Sequence, residues 1–127
     1  MTGEIPKEVL YRVLDALPTE ISFIDADNTV RYFSKDGERV FKRPKSVIGR
    51  KVQDCHPKKS VGKVNELLED FRQNRRDVAQ FWIDHHGRKV LIRYVAVRDA
   101  SGEYLGTLEA SEDITEIQKL EGEKRLI

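Results

Sequence analysis

Residues 77–113 read DVAQFWIDHHGRKVLIRYVAVRDASGEYLGTLEASED, and the fold turns on how they are divided. In DVAQFWID, Val78, Gln80 and Trp82 alternate with Ala79, Phe81 and Ile83, the two-residue period of a strand. HHGR then makes a tight turn, with Gly87 free to take positive φ. KVLIRYVAVRD is a long second strand, ASGE a second turn, and YLGTLEASED a third strand.

Upstream, the pattern changes twice. EISFID and TVRYFS read as strands joined by the turn DADN, whose Asp and Asn side chains bond locally, so this is a hairpin. IPKEVLYRVLDALP before it is an amphipathic helix: Pro6 suits the first turn, Val9, Leu10, Val13, Leu14 and Leu17 form a stripe, and Pro18 ends it. Between the hairpin and the three strands, Gly37, Pro44, Gly49 and Pro57 leave room only for short helical turns. A longer helix follows in SVGKVNELLEDFRQN, with Val61, Val64, Leu67, Leu68 and Phe71 on one face. After the last strand, DITEIQKLEGEKRLI offers Asp113 as a cap with Glu116 three residues on. Ile117, Leu120 and Ile127, with Lys124 between, fall on coiled-coil spacing, although Gly122 weakens such a helix by ~1 kcal/mol and leaves it needing a partner.

Two strands, then helices, then three strands cannot form an alternating parallel sheet. The expected class is α+β: a five-stranded antiparallel sheet with helices covering one face and enclosing a cavity, plus flanking helices at both ends. The expected divisions are 1–18 for the N-terminal helix, 19–112 for the core and 113–127 for the outgoing helix.

The totals agree with one domain. A chain of 127 residues with 39% hydrophobic and 35% charged content buries a core without staples. Its net charge of +1 gives no general pull toward nucleic acid. No apolar run nears the ~20 residues of a membrane span, and the N-terminus lacks the features of a signal peptide. The single cysteine allows no internal disulfide and suits a reducing compartment, so a cytoplasmic location is expected. Charge is uneven: residues 35–63 carry ten Lys or Arg against three acids, and 99–127 carry eight acids against three bases. Two solvated faces account for this; a basic rim at a ligand mouth is the functional alternative.

With the elements in this order, the sequence resembles a PAS domain over roughly residues 9–117. The resemblance is carried by LPTEISFIDADNTVRYFS, SVIG, RDASGEYLGTLEASEDITE and the terminal DIT. More narrowly, RYFS, VIGRKVQDCHPKKS, LLEDFR and FWI are similar to PAS domains fused behind hemerythrin-like domains in bacteria and archaea. The resemblance implies a non-catalytic sensory or interaction module, a homodimer that binds a small ligand between sheet and helices. Its signal leaves through the flanking helices to an effector or sensor domain, in a longer protein or in trans. Leu10, Leu14, Ile117 and Leu120 are the expected dimer and signalling positions. A cofactor-free dimerisation module is the alternative, and a haem or thiol-redox sensor a third.

The expected cavity residues are Phe23, Phe33, Phe41, Val52, Cys55, His56, Phe81, Ile92 and Arg93. Cys55 and His56 invite chemistry by their adjacency. The flavin-adduct cysteine of related photosensors lies three residues earlier, and its asparagine and glutamine set is not evident, which counts against flavin. The haem histidine of related domains sits on the long helix, which here has none, leaving His56 or Cys55 as unusual axial ligands. Zinc spacing toward His85 and His86 fits no ordinary pattern, so no metal site is expected. Arg50, Lys51, Lys58 and Lys59 would favour a thiolate at Cys55, but no resolving cysteine exists. The plain reading is a packed thiol and a locally bonded imidazole. Trp82 and Tyr94 carry polar handles that seek partners when buried. Arg93, inside an apolar run, is expected on a wet outer face, solvated or paired with Glu109; pointing inward, it would hold an anionic ligand. Catalytic signatures are missing: no nucleophile triad, phosphate loop or HExxH stands in the chain.

Overall fold

The computed structural model describes residues 2–127. Helix α1 (Lys7–Ala16) leads into strands β1 (Glu20–Asp25) and β2 (Val30–Phe33). Two 3₁₀ turns, Lys45–Val47 and Val52–Cys55, occupy the Gly- and Pro-broken stretch and precede helix α2 (Lys58–Arg72). Strands β3 (Val78–His85), β4 (Arg88–Arg98) and β5 (Tyr104–Asp113) complete one sheet in the order β2-β1-β5-β4-β3. Every pairing is antiparallel, which is the expected α+β architecture. At the β3–β4 turn, His86 (φ 49°) shares the left-handed conformation with Gly87 (φ 78°), the pair that a two-residue hairpin turn demands. Only Gly87 is legible as such from sequence.

Helix α2 starts directly after Pro57, which fixes an extended entry, and lays Leu68 and Phe71 on the inner face of the sheet. Two apolar clusters result. Ile24, Val30, Val47, Val52 and Leu68 form one at the β1–β2 end; Phe71, Ala79, Val90, Ile92 and Tyr94 form the other under β3–β4. Phe71 is fully shielded from water, a burial that stabilises by about 1.5–3 kcal/mol. Gly106 (φ 152°) sits where a Cβ would strike the Ile24 carbonyl and the Phe23 ring, so β5 approaches β1 only because this residue has no side chain.

The segment between β2 and the first 3₁₀ turn is pinned by a buried ion pair. Arg39 Nη2 lies 3.3 Å from Glu20 Oε2, with side chains 3% and 4% accessible. Arg39 also donates to the Ser34 and Ile21 carbonyls, and Glu20 accepts from the amides of Val40 and Phe41. A buried pair so fully hydrogen-bonded offsets its own desolvation and fixes what it holds. Here it holds the backbone that carries Phe41 and Arg43.

Two expectations fail. The helix over 113–127 does not form: β5 runs to Asp113, a 3₁₀ turn covers Ile117–Lys119, and Leu120 is extended. The reason is energetic. Gly122 takes φ 60°, and Ile117 (50%) and Leu120 (78%) find nothing to bury against, so a helix this short has no tertiary support. Second, Arg93, one of the nine cavity candidates, does not enter the cavity, and Glu109 is not beside it. Arg93 is solvated on the outer face and donates from Nε to Gln80 Oε1 at 3.0 Å. Glu109 lies on the inner face and is 6% exposed.

That inversion is general on this side of the sheet. On β1 and β5 the inner positions include Glu20, Ser22, Thr107, Glu109 and Ser111 beside the apolar Ile24, whereas the half-buried Phe23, Leu108 and Ala110 point outward with Ile21, itself buried. The outer face continues across β3 with Val78 (52%) and Trp82 (63%) open to solvent.

Candidate functional site

Between α2 and the inner faces of β3, β4 and β5 lies a cavity of about 660 Å³. Volumes of roughly 300–1,000 Å³ are those of small-molecule sites. Leu67 and Val64 from α2 face Phe81, Ile83 and Ile92 from the sheet, and Phe41 closes one end. Lys42, Ser60 and Lys63 also line it, and all but Ser60 are exposed.

Three polar side chains stand among these apolar walls. Arg43 Nη2 donates to Glu109 Oε1 at 2.9 Å, with side chains 13% and 8% accessible. That is the pair's one contact: Arg43 Nε and Glu109 Oε2 are buried with no hydrogen-bond partner among the described residues. Tyr94, 7% exposed, stacks on Phe81 with ring centres 5.9 Å apart. Burial pushes its hydroxyl pKa up, and the charge of Glu109 adds to the rise. The hydroxyl stays protonated at any physiological pH.

Of the nine residues anticipated for the cavity, Phe41, Cys55, His56, Phe81 and Ile92 line it. Val52 instead belongs to the apolar cluster with Ile24 and Val30, and Phe33 packs against that cluster beneath the Arg39 guanidinium, 5.5 Å from its ring. Phe23 abuts Gly106 on the outer face, and Arg93 points away from the cavity. Arg43, Tyr94 and Glu109 escaped the anticipated set. The sequence signal for Glu109 was its parity with Thr107 and Ser111, which the habit of placing polar residues outward obscured. Arg43 stands in an irregular segment, where no period exists to read.

Cys55 and His56 are both half-buried. Cys55 Sγ lies 3.7 Å from the Lys51 carbonyl, and His56 Nδ1 3.0 Å from the Val52 carbonyl. A carbonyl only accepts, so the neutral ring carries its proton on Nδ1 and keeps the lone pair on Nε2. Among the described residues no group of three or more His, Cys, Asp or Glu is placed to hold a metal ion.

A second set of contacts joins the cavity wall to the exit of the chain. The Phe41 ring packs on His85 at 4.9 Å, at the end of β3. Across the β3–β4 turn, Arg88 Nε donates to Asp113 Oδ2 at 2.8 Å. Asp113 Oδ1 accepts from the Thr115 amide and hydroxyl, and Thr115 Oγ1 accepts from the Lys89 amide. The Ile114 amide donates to the Lys89 carbonyl at 2.8 Å. The hydrogen bond from Arg88, then those from Thr115, hold the Asp113 pKa down at about 2.

Comparison with known proteins places these features. Residues 10–115 match the family model described as PAS domain. A C-terminal domain from Streptococcus mutans is 35% identical over 95% of this chain and 94% of that one, with a TM-score of 0.86. The PAS domain of Bordetella pertussis BvgS (20% identity, 88% of each chain, TM-score 0.65) is similar in fold. So is a PAS domain from Colwellia psychrerythraea (18% identity, 83% of this chain and 93% of that one, TM-score 0.62). None of the curated proteins compared matches the chain. Among the described residues no helix is long and apolar enough to cross a membrane.

Proposed function

The chain belongs to the PAS domain family, and on that premise we propose that it senses a small molecule held in the cavity between α2 and the sheet. Occupancy shifts α2 and Phe41, and the β3–β4 turn passes the shift to residues 113–116. The observation that carries this reading is the cavity itself, apolar in its walls and equipped with an ion pair short of partners. Each buried polar atom without a partner calls for an explanation, and a ligand group supplies one for this pair. The contacts from Phe41 through His85 and Arg88 to Asp113 supply a physical route outward.

We place the receiver in the same assembly: a second copy of the chain, with an effector or sensor domain joined covalently or in trans. Leu10 and Leu14 on α1, half-buried, and the exposed Ile117 and Leu120 are the proposed contacts of the flanking segments. Cytoplasmic action rests on the single cysteine, which suits a reducing compartment, and a position behind a hemerythrin-like domain on the sequence resemblance. A cofactor-free dimerisation module is the second reading, favoured by the open apolar outer face around Val78 and Trp82. A haem or thiol sensor would use the free Nε2 of His56 or the Cys55 thiol, and an absorption spectrum separates haem from a colourless ligand.

Native mass spectrometry of gently purified protein tests the main reading. Wild type is expected to retain a small molecule, and Val64→Trp, which fills the cavity from α2, to lose it while keeping its circular dichroism spectrum. Equal masses with no adduct in either protein, across mild conditions, would leave the dimerisation module. On protein from its own cells, the same measurement gives the length of the natural chain.

A further inference from the structure

The inner end of the cavity is short of hydrogen bonds. Tyr94 lines it with a hydroxyl that makes no hydrogen bond among the described residues, on a side chain more than nine-tenths buried. Beside it, Arg43 and Glu109 share one hydrogen bond and leave Nε–H and Oε2 without partners. Buried atoms left unpartnered are costly, so Glu109 demands a donor and Arg43 an acceptor; the Tyr94 hydroxyl, which water still reaches, can give or take a hydrogen bond beside them.

Charge narrows the occupant. At the inner end, a carboxylate set against Tyr94 would meet the Glu109 carboxylate, whose countercharge, Arg43, is already engaged. The two lining lysines, Lys42 and Lys63, are exposed to water, which screens their charge. A cation would meet the Arg43 guanidinium. A wholly apolar molecule would seal the Tyr94 hydroxyl from water without a partner and would leave Arg43 Nε and Glu109 Oε2 as unsatisfied as they are now. The walls ask for a flat body: Phe81 and Tyr94 are stacked with an interplanar angle of 23°, and Leu67 faces them from α2. Offset stacking on such a pair suits an aromatic ring.

From these demands we infer that the cavity takes an uncharged, flat aromatic molecule whose inner edge sets a hydrogen-bond donor beside an acceptor, the chemistry of a cyclic amide. The inference rests on the ligand-binding reading above and names the ligand class for that same cavity. The amide N–H donates to Glu109 and the C=O accepts from Tyr94 or Arg43. Engaging the buried Arg43 and Glu109 atoms takes a side-chain rotation, which the new hydrogen bonds offset.

Four bicyclic probes test it by calorimetry and amide chemical-shift mapping: 2-quinolinone, N-methyl-2-quinolinone, naphthalene and 2-naphthoate. The expected order places 2-quinolinone about tenfold or more tighter than each of the others, since a site built around donors and acceptors rejects analogues lacking them. Tyr94→Phe is expected to weaken 2-quinolinone by about tenfold and leave naphthalene unchanged. The N-methyl probe asks the same question of unaltered protein, so the test survives a variant that fails to fold. Tighter binding of 2-naphthoate, or equal binding of all four at the cavity residues, would overturn the inference while leaving a ligand cavity in place. No binding by any probe, together with no adduct in the native mass spectrum, would overturn the cavity reading itself.

Discussion

Asp113 does two things with one carboxylate. One oxygen takes a charge-assisted hydrogen bond from Arg88, and the other caps the first residues of the exit segment through Thr115. Its pKa is depressed from 3.8 to about 2, so the native state holds the ionised form more strongly than the unfolded chain does. The stabilisation is therefore complete above the unfolded value and disappears as pH falls through the folded one. Thermal unfolding of wild type and Asp113→Asn should differ at neutral pH, with the variant less stable, and the difference should close between about pH 4 and pH 2. A gap that persists undiminished at the acid end would mean that Asp113 acts by shape and not by charge. Residue by residue, the candidate site was legible where apolar side chains alternate along a strand, as for Phe81 and Ile92. It was obscured where a buried charge broke the expectation of polar residues outside, as for Glu109, and where the chain is irregular, as for Arg43.

At the scale of elements, periodicity and punctuation led to the sheet, the hairpins and α2, because each element's own side chains dictate its period. The outgoing helix was not legible in the same way. Its coiled-coil spacing describes what residues 114–127 would do beside a partner, while Gly122 and the unburied Ile117 and Leu120 describe a single copy. The outer face of the sheet tells a related story. β3 leaves Val78 and Trp82 open, and β1 and β5 turn the half-buried Phe23, Leu108 and Ala110 the same way. A second copy docked there would bury this apolar area. Trp82→Glu should then convert a dimer to a monomer in sedimentation equilibrium without altering circular dichroism. Sedimentation at one unchanged mass for both proteins would remove the outer face from the dimer.

At the scale of the molecule, three anchored pieces surround one cavity. The Arg39–Glu20 pair fixes the segment bearing Phe41 and Arg43, α2 covers the sheet through Leu68 and Phe71, and the β3–β4 turn is tied to the exit by Arg88, Lys89, Asp113 and Thr115. On the proposed reading, a molecule held between them shifts one against the others. Hydrogen–deuterium exchange compares protein carrying its retained ligand with protein stripped of it. The expected result is slower exchange in the ligand-bound form for α2, for residues 85–89 and for the amides of Ile114 and Thr115. Identical exchange at Ile114 and Thr115, with protection confined to the cavity walls, would contradict a signal passing from the cavity to the exit of the chain.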